Sequence, residues 1–287
     1  MESGFAKLKR DRGTSSLTKE VQKMSQPTET VYEKDDPRFW QPEVDKAGNG
    51  MAIIRFLPAP AVDGDDALPW VRRFEHGFQA PNGLWLMEHC LTTNAQKCPI
   101  CEHNSILWNS GIEANKEIVR KQKRKLVYFA NIMVISDPKN PANEGQIRLY
   151  KFGKKIFDKI SEAMNPEFAD ETPMNPFDFW EGANFKLKIR LVESYRNYDK
   201  SEFDTPSPLS DDDEKLEKIW KSEHSIKEFI APQKFKSYDA LKDRLTVVLG
   251  LNGVTQIGSK AEDATLTSAP SVDDDEVDYF RSLAEQG

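Results

Sequence analysis

The sequence predicts a β-rich α+β fold with a small metal-binding subdomain, flanked by two charged ends. Three observations predict it. Short apolar runs alternate with turn-forming residues through the middle of the chain. Three cysteines, Cys90, Cys98 and Cys101, lie within twelve residues of one another. Both ends are polar and charged, so we expect a folded core between a disordered N-terminal arm and a disordered C-terminal tail.

The predicted sheet consists of six stretches of strand length, bounded by Gly, Pro, Asn and Asp. These strands are residues 51–57, 70–78, 84–88, 126–135, 147–152 and 185–192. A core of many short strands fits an oligonucleotide-binding (OB) barrel with inserted elements.

The predicted helices flank this sheet, because apolar residues recur at helical spacing between and after the strands. They are residues 101–108, 154–164, 214–229 and 237–249, with a further short helix at residues 14–24. Residues 204–213 predict an acidic surface loop, since they combine aspartates with two prolines. We expect Trp85, Phe152, Trp180 and Phe185 to lie in the core.

The net charge of −7 is spread unevenly over the 287 residues. The first 24 residues carry +3, whereas residues 259–287 contain eight acidic and two basic residues and carry −6. Such asymmetry points to a nucleic-acid partner, with the tail as a separate interaction element. We expect a basic arm at residues 1–40, a core at 41–255 and an acidic tail at 256–287.

The sequence has no signal for membrane insertion or export. No apolar run approaches the roughly 20 residues that cross a bilayer, and the N-terminus lacks an apolar signal region. Clustered cysteines in such a chain favour metal binding over disulfides. We therefore expect a soluble cytoplasmic protein.

The cysteine cluster predicts one structural zinc ion in a subdomain at about residues 70–110. A Cys-x-x-Cys pair places two thiolates on one tight turn, and structural zinc takes four sulfur and nitrogen ligands. Three cysteines leave one position for a histidine, and His76, His89 and His103 are all near. Strand alternation favours His76 over His89. The alternative is three reduced thiols.

Catalytic zinc is not expected. Nucleobase deaminases pair their zinc with a His-x-Glu motif, but here the match would be His76-Gly77-Phe78. Four protein ligands leave no open position on the metal. A metal-dependent nuclease needs carboxylates converging on an open metal site, and the acid-rich segments lie in a loop and the tail. We therefore expect a protein that is not an enzyme.

Basic residues are interleaved with aromatic residues in three clusters, near residues 116–129, 148–155 and 185–198. In single-strand binders, cations follow the phosphates and aromatic faces stack on bases. The alternative is amphipathic strands with a solvated basic face and aromatic residues in the core. The predicted contacts are Lys121, Lys123, Arg124, Lys125, Tyr128, Phe129, Tyr150, Lys151, Lys154, Lys155, Tyr195 and Tyr198.

With these residues assembled, the sequence resembles the single-stranded DNA-binding (helix-destabilising) proteins of T-even-like bacteriophages over about residues 44–249. The resemblance rests on ordered matches at residues 47–58, 76–78, 98–101, 123–125, 130–132, 152–156, 180–185 and 197–199. It implies an OB core beside a zinc subdomain. It also implies a zinc ligand set of His76, Cys90, Cys98 and Cys101. The implied DNA cleft is lined by basic residues and by Tyr128, Phe129, Tyr150, Tyr195 and Tyr198.

The same resemblance implies roles for both ends of the chain. The arm would dock on a neighbouring copy and make binding cooperative, through Lys7, Lys9, Arg10 and Arg12. The tail would contact phage replication, recombination and repair proteins, through Asp273, Asp274, Asp275, Glu276, Asp278 and Phe280. The sequence departs from the family in four respects. Leu8 and Asp11 interrupt the compact basic run of the arm, and Leu126 and Val127 follow Lys125 where hydroxyl residues are expected. Phe129 stands where tryptophan is expected, and the tail is short and lacks a long serine stretch.

We expect the protein to coat single-stranded DNA with little sequence preference in an infected bacterial cell. The rival hypotheses are a zinc-containing nucleic-acid enzyme and a protein-interaction scaffold that uses the tail. A scaffold would not need three basic–aromatic clusters.

Overall fold

The computed structural model describes residues 36–168, 170–193 and 195–251. The named arm and tail residues and the helix expected at residues 14–24 lie outside the described residues. The described strands are β1 Gly50–Phe56, β2 Trp70–Gln79, β3 Trp85–His89, β4 Lys125–Ser136, β5 Ile147–Gly153, β6 Phe185–Val192, β7 Tyr195–Asn197 and β8 Glu202–Phe203. The described α-helices are α1 Pro99–Asn109, α2 Glu113–Gln122, α3 Lys154–Met164, α4 Asp213–Lys221 and α5 Tyr238–Leu249.

The six predicted strands are confirmed to within one residue at each end, and the fold is α+β. The strands form an antiparallel sheet in the order β3-β2-β4-β1-β6-β7, with β5 paired to β4 and β8 paired to β6. Along one edge, β4 pairs first with β2 and then with β1, while β5 occupies its other edge. The sheet curls into a half-barrel, and the long strand β4 pairs with three of its strands.

The two largest of the four apolar clusters among the described residues pack helices against the sheet. The larger one contains Ile54 and Phe56 of β1, together with Ile156 and Ile160 of α3. The second lies beneath β2 and β3 and includes Leu241, with two of the predicted metal ligands, Cys90 and Cys98. The metal cluster is therefore continuous with a hydrophobic core.

Residues 36–40, which the sequence assigns to the arm, pack against the sheet. The Trp40 backbone N–H donates to the Leu149 carbonyl at 2.9 Å, and its indole N–H donates to the Asp137 carboxylate at 2.9 Å. The Phe39 ring meets the rings of Phe129 and Phe229 edge-on. These two aromatic side chains supply apolar surface, which is why the folded part begins before residue 41.

Some helical predictions are wrong. The helix expected at residues 214–229 ends at Lys221, and a 3-10 turn follows at Lys227–Ile230. The Asp63 carboxylate accepts the backbone N–H groups of Ile226 and Lys227, which stabilises that turn in place of a longer helix. Helix α2 was not predicted, because its sequence is mostly charged and polar and lacks a long apolar stripe at helical spacing.

The core predictions for the large aromatics hold in two cases of four. Phe152 and Phe185 are buried, as expected. Trp85 and Trp180 are each 55% exposed, so the prediction that they lie in the core is wrong. Trp85 lies on β3 at the edge of the sheet, and Trp180 lies in a turn after the buried Phe179.

Candidate metal centre and nucleic-acid interface

The structure brings the four predicted metal ligands together. Their ligand atoms all lie within 4.8 Å of one another. His76 Nε2 is 3.6 Å from Cys98 Sγ and 3.5 Å from Cys101 Sγ, and Cys90 Sγ is 3.5 Å from Cys101 Sγ. This group can hold a metal ion.

Three separate elements position these ligands. His76 lies in the middle of β2, and Cys90 directly follows β3, where its N–H donates to the Phe74 carbonyl of β2 at 2.8 Å. Cys98 is the N-cap of α1, and Cys101 lies in its first turn. Pro99 between them suits a helix start, because its fixed φ is helical and it has no N–H to leave unpaired. A bound ion would therefore cross-link a strand pair to a helix.

The second ring nitrogen of His76 is also accounted for. His76 Nδ1 lies 3.3 Å from the Gln122 carbonyl, which accepts a further hydrogen bond from Asn104 Nδ2 at 3.1 Å. A carbonyl partner requires Nδ1 to carry the hydrogen, which leaves Nε2 free to bind a metal. The other candidates lie elsewhere: His89 Nδ1 is 3.1 Å from the Lys234 carbonyl, and His103 is not in the cluster among the described residues.

The electrostatics of the cluster favour a cation. Burial lowers the pKa of His76, but hydrogen bonds with the Cys90 and Cys98 sulfurs outweigh burial and raise the pKa to about 9. Hydrogen bonds from Cys101 and Cys90 lower the pKa of the Cys98 thiol. A metal ion bound here would be held by the sulfurs as thiolates, because the thiolate is the form that ligates a metal.

The first basic segment joins the metal cluster to β4. Lys121 lies near the end of α2, residues 123 and 124 connect α2 to β4, and Lys125 is the first residue of β4. Arg124 and Lys125 are exposed. The Arg124 guanidinium donates to Thr92 Oγ1 at 2.8 Å and lies 4.2 Å from the centroid of the Phe74 ring. This segment is basic, accessible and held by defined contacts.

The second basic segment follows β5. Val127 of β4 pairs with Gly153, the last residue of β5, so Lys154 and Lys155 emerge next to the start of β4. Lys155 is exposed, and Lys154 pairs with Asp158 at 3.0 Å. Lys151 lies inside β5 and pairs with Glu75 at 2.8 Å. The two basic segments therefore meet at one end of the β4–β5 pair.

Three of the predicted base-stacking rings are buried. Tyr128, Phe129 and Tyr150 are 6%, 0% and 3% exposed. The Tyr128 ring stacks on Phe157 of α3 at 4.0 Å between centroids, and the Phe129 ring stacks on Phe229 at 4.6 Å. Burial raises the pKa of Tyr150 well above its usual value. In this structure the faces of these rings belong to the core.

The predicted rings near β7 differ from those of β4. Tyr195 is 78% exposed, while Tyr198 is half-buried against the larger apolar cluster. Beside them, Arg190 of β6 pairs with Asp199 at 2.5 Å. Tyr195 therefore presents an open ring next to charged strands.

Sequence reasoning missed one exposed ring, Trp108 in the last turn of α1. Its side chain is 41% exposed. Lys116 Nζ and the Arg120 guanidinium of α2 lie 5.8 and 5.9 Å from the centroid of its ring, within cation–π range. Both cations also pair with Glu113. The signal available in the sequence was the position of Trp108, which lies shortly before the basic run that begins at Lys116.

Two features of the described structure define a class of protein with a metal-ligand cluster and a surface for a polyanion. A metal-ligand cluster braces one part of a curled sheet, and two basic segments gather at one end of its central strands. Accessible cations on a rigid scaffold form a surface suited to a polyanion. In the part of the chain that the structure describes, no helix is long and apolar enough to cross a membrane.

The chain belongs to the gp32-like DNA-binding family. A family model described as "gp32 DNA binding protein like" matches residues 48–249. The single-stranded DNA-binding proteins of Enterobacteria phages T2 and T4 are each 37% identical over 265 residues, which cover 88% of this chain and 84% of each relative. The single-stranded DNA-binding protein of Escherichia phage SV14 is 37% identical over 76 residues, or 26% of this chain and 64% of that protein.

Proposed function

We propose that this chain binds single-stranded DNA with little sequence preference. The observation that carries the proposal is the meeting of residues 123–125 with Lys154 and Lys155 at one end of the β4–β5 pair. Cations in such a band follow a phosphate backbone and release its counterions. The names of the phage relatives agree with this function.

Base stacking in this proposal comes from exposed rings. Tyr195 and Trp108 offer accessible faces, and Tyr198 adds a partly accessible one. Tyr128, Phe129 and Tyr150 support the basic strands from inside the core, so their contribution to DNA binding is indirect. Lys121, Lys123, Lys125 and Lys151 remain proposed phosphate contacts.

The fold supports the proposal. A curled antiparallel sheet built around one long shared strand is consistent with an OB-type barrel, a scaffold that uses its open face for oligonucleotides. The single strand would lie across this scaffold with its phosphates on the basic segments. Such a protein favours melted DNA by binding one state and not the other, and we propose no catalytic step.

We also propose that the ligand cluster holds one structural zinc ion. A tetrahedral zinc centre has bonds of about 2.3 Å to sulfur and about 2.0 Å to nitrogen, which separates a sulfur from a nitrogen by about 3.5 Å. The sulfur–nitrogen distances at His76 are 3.5 and 3.6 Å. Bound zinc would supply the cross-link between β2, the end of β3 and α1. Three cysteines and a histidine fill its four positions.

The two chain ends give the proposal its further parts. The basic arm would dock on a neighbouring copy and make binding cooperative, and the tail would contact replication, recombination and repair proteins. Deleting residues 1–24 should weaken binding to long strands while leaving binding to a short oligonucleotide nearly intact. Equal losses on both substrates would instead make the arm part of the DNA site.

A titration tests the central proposal. We expect tight binding to oligo(dT), much weaker binding to duplex DNA of equal length, and affinity that falls as salt rises. The slope of log affinity against log salt should be about −0.7 for each phosphate neutralised on a single strand. Equal affinity for duplex and single strand, or no dependence on salt, would contradict it. An RNA oligonucleotide in the same titration ranks the two nucleic acids.

A further inference from the structure

Two hydrogen-bond paths connect the metal cluster to the basic segment at residues 123–125. In the first, His76 Nδ1 donates to the carbonyl of Gln122, the residue directly before this segment. In the second, Thr92 Oγ1 lies 3.1 Å from Cys90 Sγ and accepts from the Arg124 guanidinium at 2.8 Å. The ligand His76 thus contacts the backbone directly before the segment. The ligand Cys90 is linked through Thr92 to the Arg124 side chain in the middle of the segment.

The Thr92 path has a defined direction when a metal is bound. A thiolate that ligates a metal has no hydrogen, so the Thr92 hydroxyl donates to Cys90 Sγ. Its oxygen then accepts from Arg124, whose guanidinium can only donate. The result is a chain of two hydrogen bonds that runs from a cation through a hydroxyl to a metal-bound sulfur.

We infer that Thr92 is a positioning residue that couples the metal centre to Arg124. The hydroxyl fixes one end of the guanidinium, and the Phe74 ring at 4.2 Å fixes its plane. Arg124 remains exposed, and a guanidinium has five N–H donors, so the donors not used on Thr92 can reach a phosphate. The DNA part of this inference rests on the proposed function.

The coupling acts in both directions. A positive charge two hydrogen bonds from the sulfur stabilises the thiolate that holds the metal. A metal that holds Cys90 in turn holds Thr92 and Arg124, so the cation is ordered before DNA arrives. The Thr92 side chain belongs to the 3-10 turn at Leu91–Asn94, which the Cys90 backbone N–H ties to β2. The geometry of these two hydrogen bonds therefore depends on the same secondary-structure elements that position the metal ligands.

Zinc release by a chelator tests the coupling without DNA. The variants are Thr92→Val, which keeps the shape and removes the hydroxyl, Thr92→Ser, which keeps the hydroxyl, Arg124→Gln, and the double variant Thr92→Val/Arg124→Gln. Thr246→Val serves as a matched control, because its hydroxyl bonds to the Lys242 carbonyl of its own helix, α5, and not to a predicted metal ligand. All are full-length, zinc-loaded proteins.

We expect Thr92→Val to lower zinc affinity about tenfold, the lower end of the effect of removing an outer-shell partner. Thr92→Ser and the Thr246→Val control should retain wild-type affinity. Arg124→Gln should lower zinc affinity, and the double variant should match Thr92→Val alone. Wild-type zinc affinity in Thr92→Val, or losses that multiply in the double variant, would overturn the inference.

The same variants titrated with oligo(dT) at several salt concentrations separate this inference from the proposed function. If both hold, Arg124→Gln and Thr92→Val each flatten the salt slope by about 0.7, and Thr92→Ser does not. If Arg124→Gln binds DNA like wild type, Arg124 is not a phosphate contact and that part of the proposed function fails, while zinc release still decides the role of Thr92. A wild-type slope in Thr92→Val beside a flattened slope in Arg124→Gln would show that Thr92 does not position Arg124.

Discussion

The metal-ligand cluster and the aromatic rings of β4 and β5 were both prominent in the sequence. The ligands come together as predicted, whereas the rings that were predicted to stack on bases are buried. The four ligands, spread over 26 residues, converge to within 4.8 Å. Tyr128, Phe129 and Tyr150, predicted to stack on bases, are buried among other rings. A thiol cluster has few uses other than binding a metal, whereas an aromatic ring serves a core as well as a binding surface.

The difference teaches that side-chain chemistry predicts a site best when the group has one main role. Charged groups behave similarly, because a lysine or arginine is rarely buried without a partner. Arg124, Lys125 and Lys155 are exposed as expected. For an aromatic residue, the sequence must also show whether its face of the sheet is buried or open to solvent. Both faces of β4 are covered by apolar clusters.

The largest expected effect is at the metal cluster. Cys98→Ser should release the metal and destabilise the fold by more than about 4 kcal/mol, the range reached when a metal site is lost. At 2–4 °C per kcal/mol for a domain of this size, Tm should fall by roughly 8–16 °C. Calorimetry with elemental analysis measures both. His103→Gln is the matched control, and an equal loss of metal in that variant would refute the ligand assignment.

The next effect tests the buried side of the comparison. Phe129→Ala should destabilise the protein by about 3–5 kcal/mol, because it empties a site closed by Phe229, Phe39 and Arg73. The DNA affinity of the molecules that remain folded should change little. Denaturant unfolding and a titration below the transition measure the two effects. A large loss of affinity with unchanged stability would return Phe129 to the DNA-contacting set.

Exposed rings should show the opposite behaviour. Tyr195→Ala and Trp108→Ala should each weaken oligo(dT) binding by about 1–3 kcal/mol, the usual contribution of one stacked base. Their stability should stay within about 0.5 kcal/mol of wild type, as for other surface substitutions. Trp180→Ala is the control: that ring is 55% exposed, between Trp108 at 41% and Tyr195 at 78%, but its indole N–H donates to Asp213, which directly follows two other aspartates. If Trp180→Ala lost as much DNA affinity as Trp108→Ala, the assignment of Trp108 as a specific base-stacking ring would be wrong.

The smallest effect concerns a single cation. Lys155→Gln should reduce affinity modestly at low salt and flatten the salt slope by about 0.7, since one fewer counterion is released. Lys218→Gln on α4 removes an exposed cation that lies outside the two basic segments and provides a control. Titrations at four salt concentrations suffice. Parallel slopes for wild type and Lys155→Gln would exclude this lysine from the strand path.

Much of the fold could be predicted, because alternating apolar runs specify strands and turn residues bound them. What could not be predicted depends on distant segments. Phe39 and Phe229 close over Phe129 from opposite ends of the described chain, and no local pattern reports that contact. The Asp63 carboxylate fixes the turn at Lys227–Ile230, which shortened the helix expected there.

The candidate site shows the same limit. The ligand set follows from residue type and spacing, but the hydroxyl of Thr92 becomes relevant only once Cys90 and Arg124 meet on either side of it. Trp108 was overlooked because helix α2 was not predicted, and that helix supplies the cations beside its ring. The roles proposed for Thr92 and Trp108 thus depend on contacts between separate elements, which sequence spacing alone does not predict.

A structure of the zinc-loaded protein with oligo(dT) tests the central claim most directly. The account predicts phosphates within hydrogen-bond distance of Arg124 and Lys155, a base on the Tyr195 ring, and Phe129 still stacked on Phe229. Bases stacked on Phe129 or Tyr150 after the core opens, or a strand path that avoids the two basic segments, would contradict it.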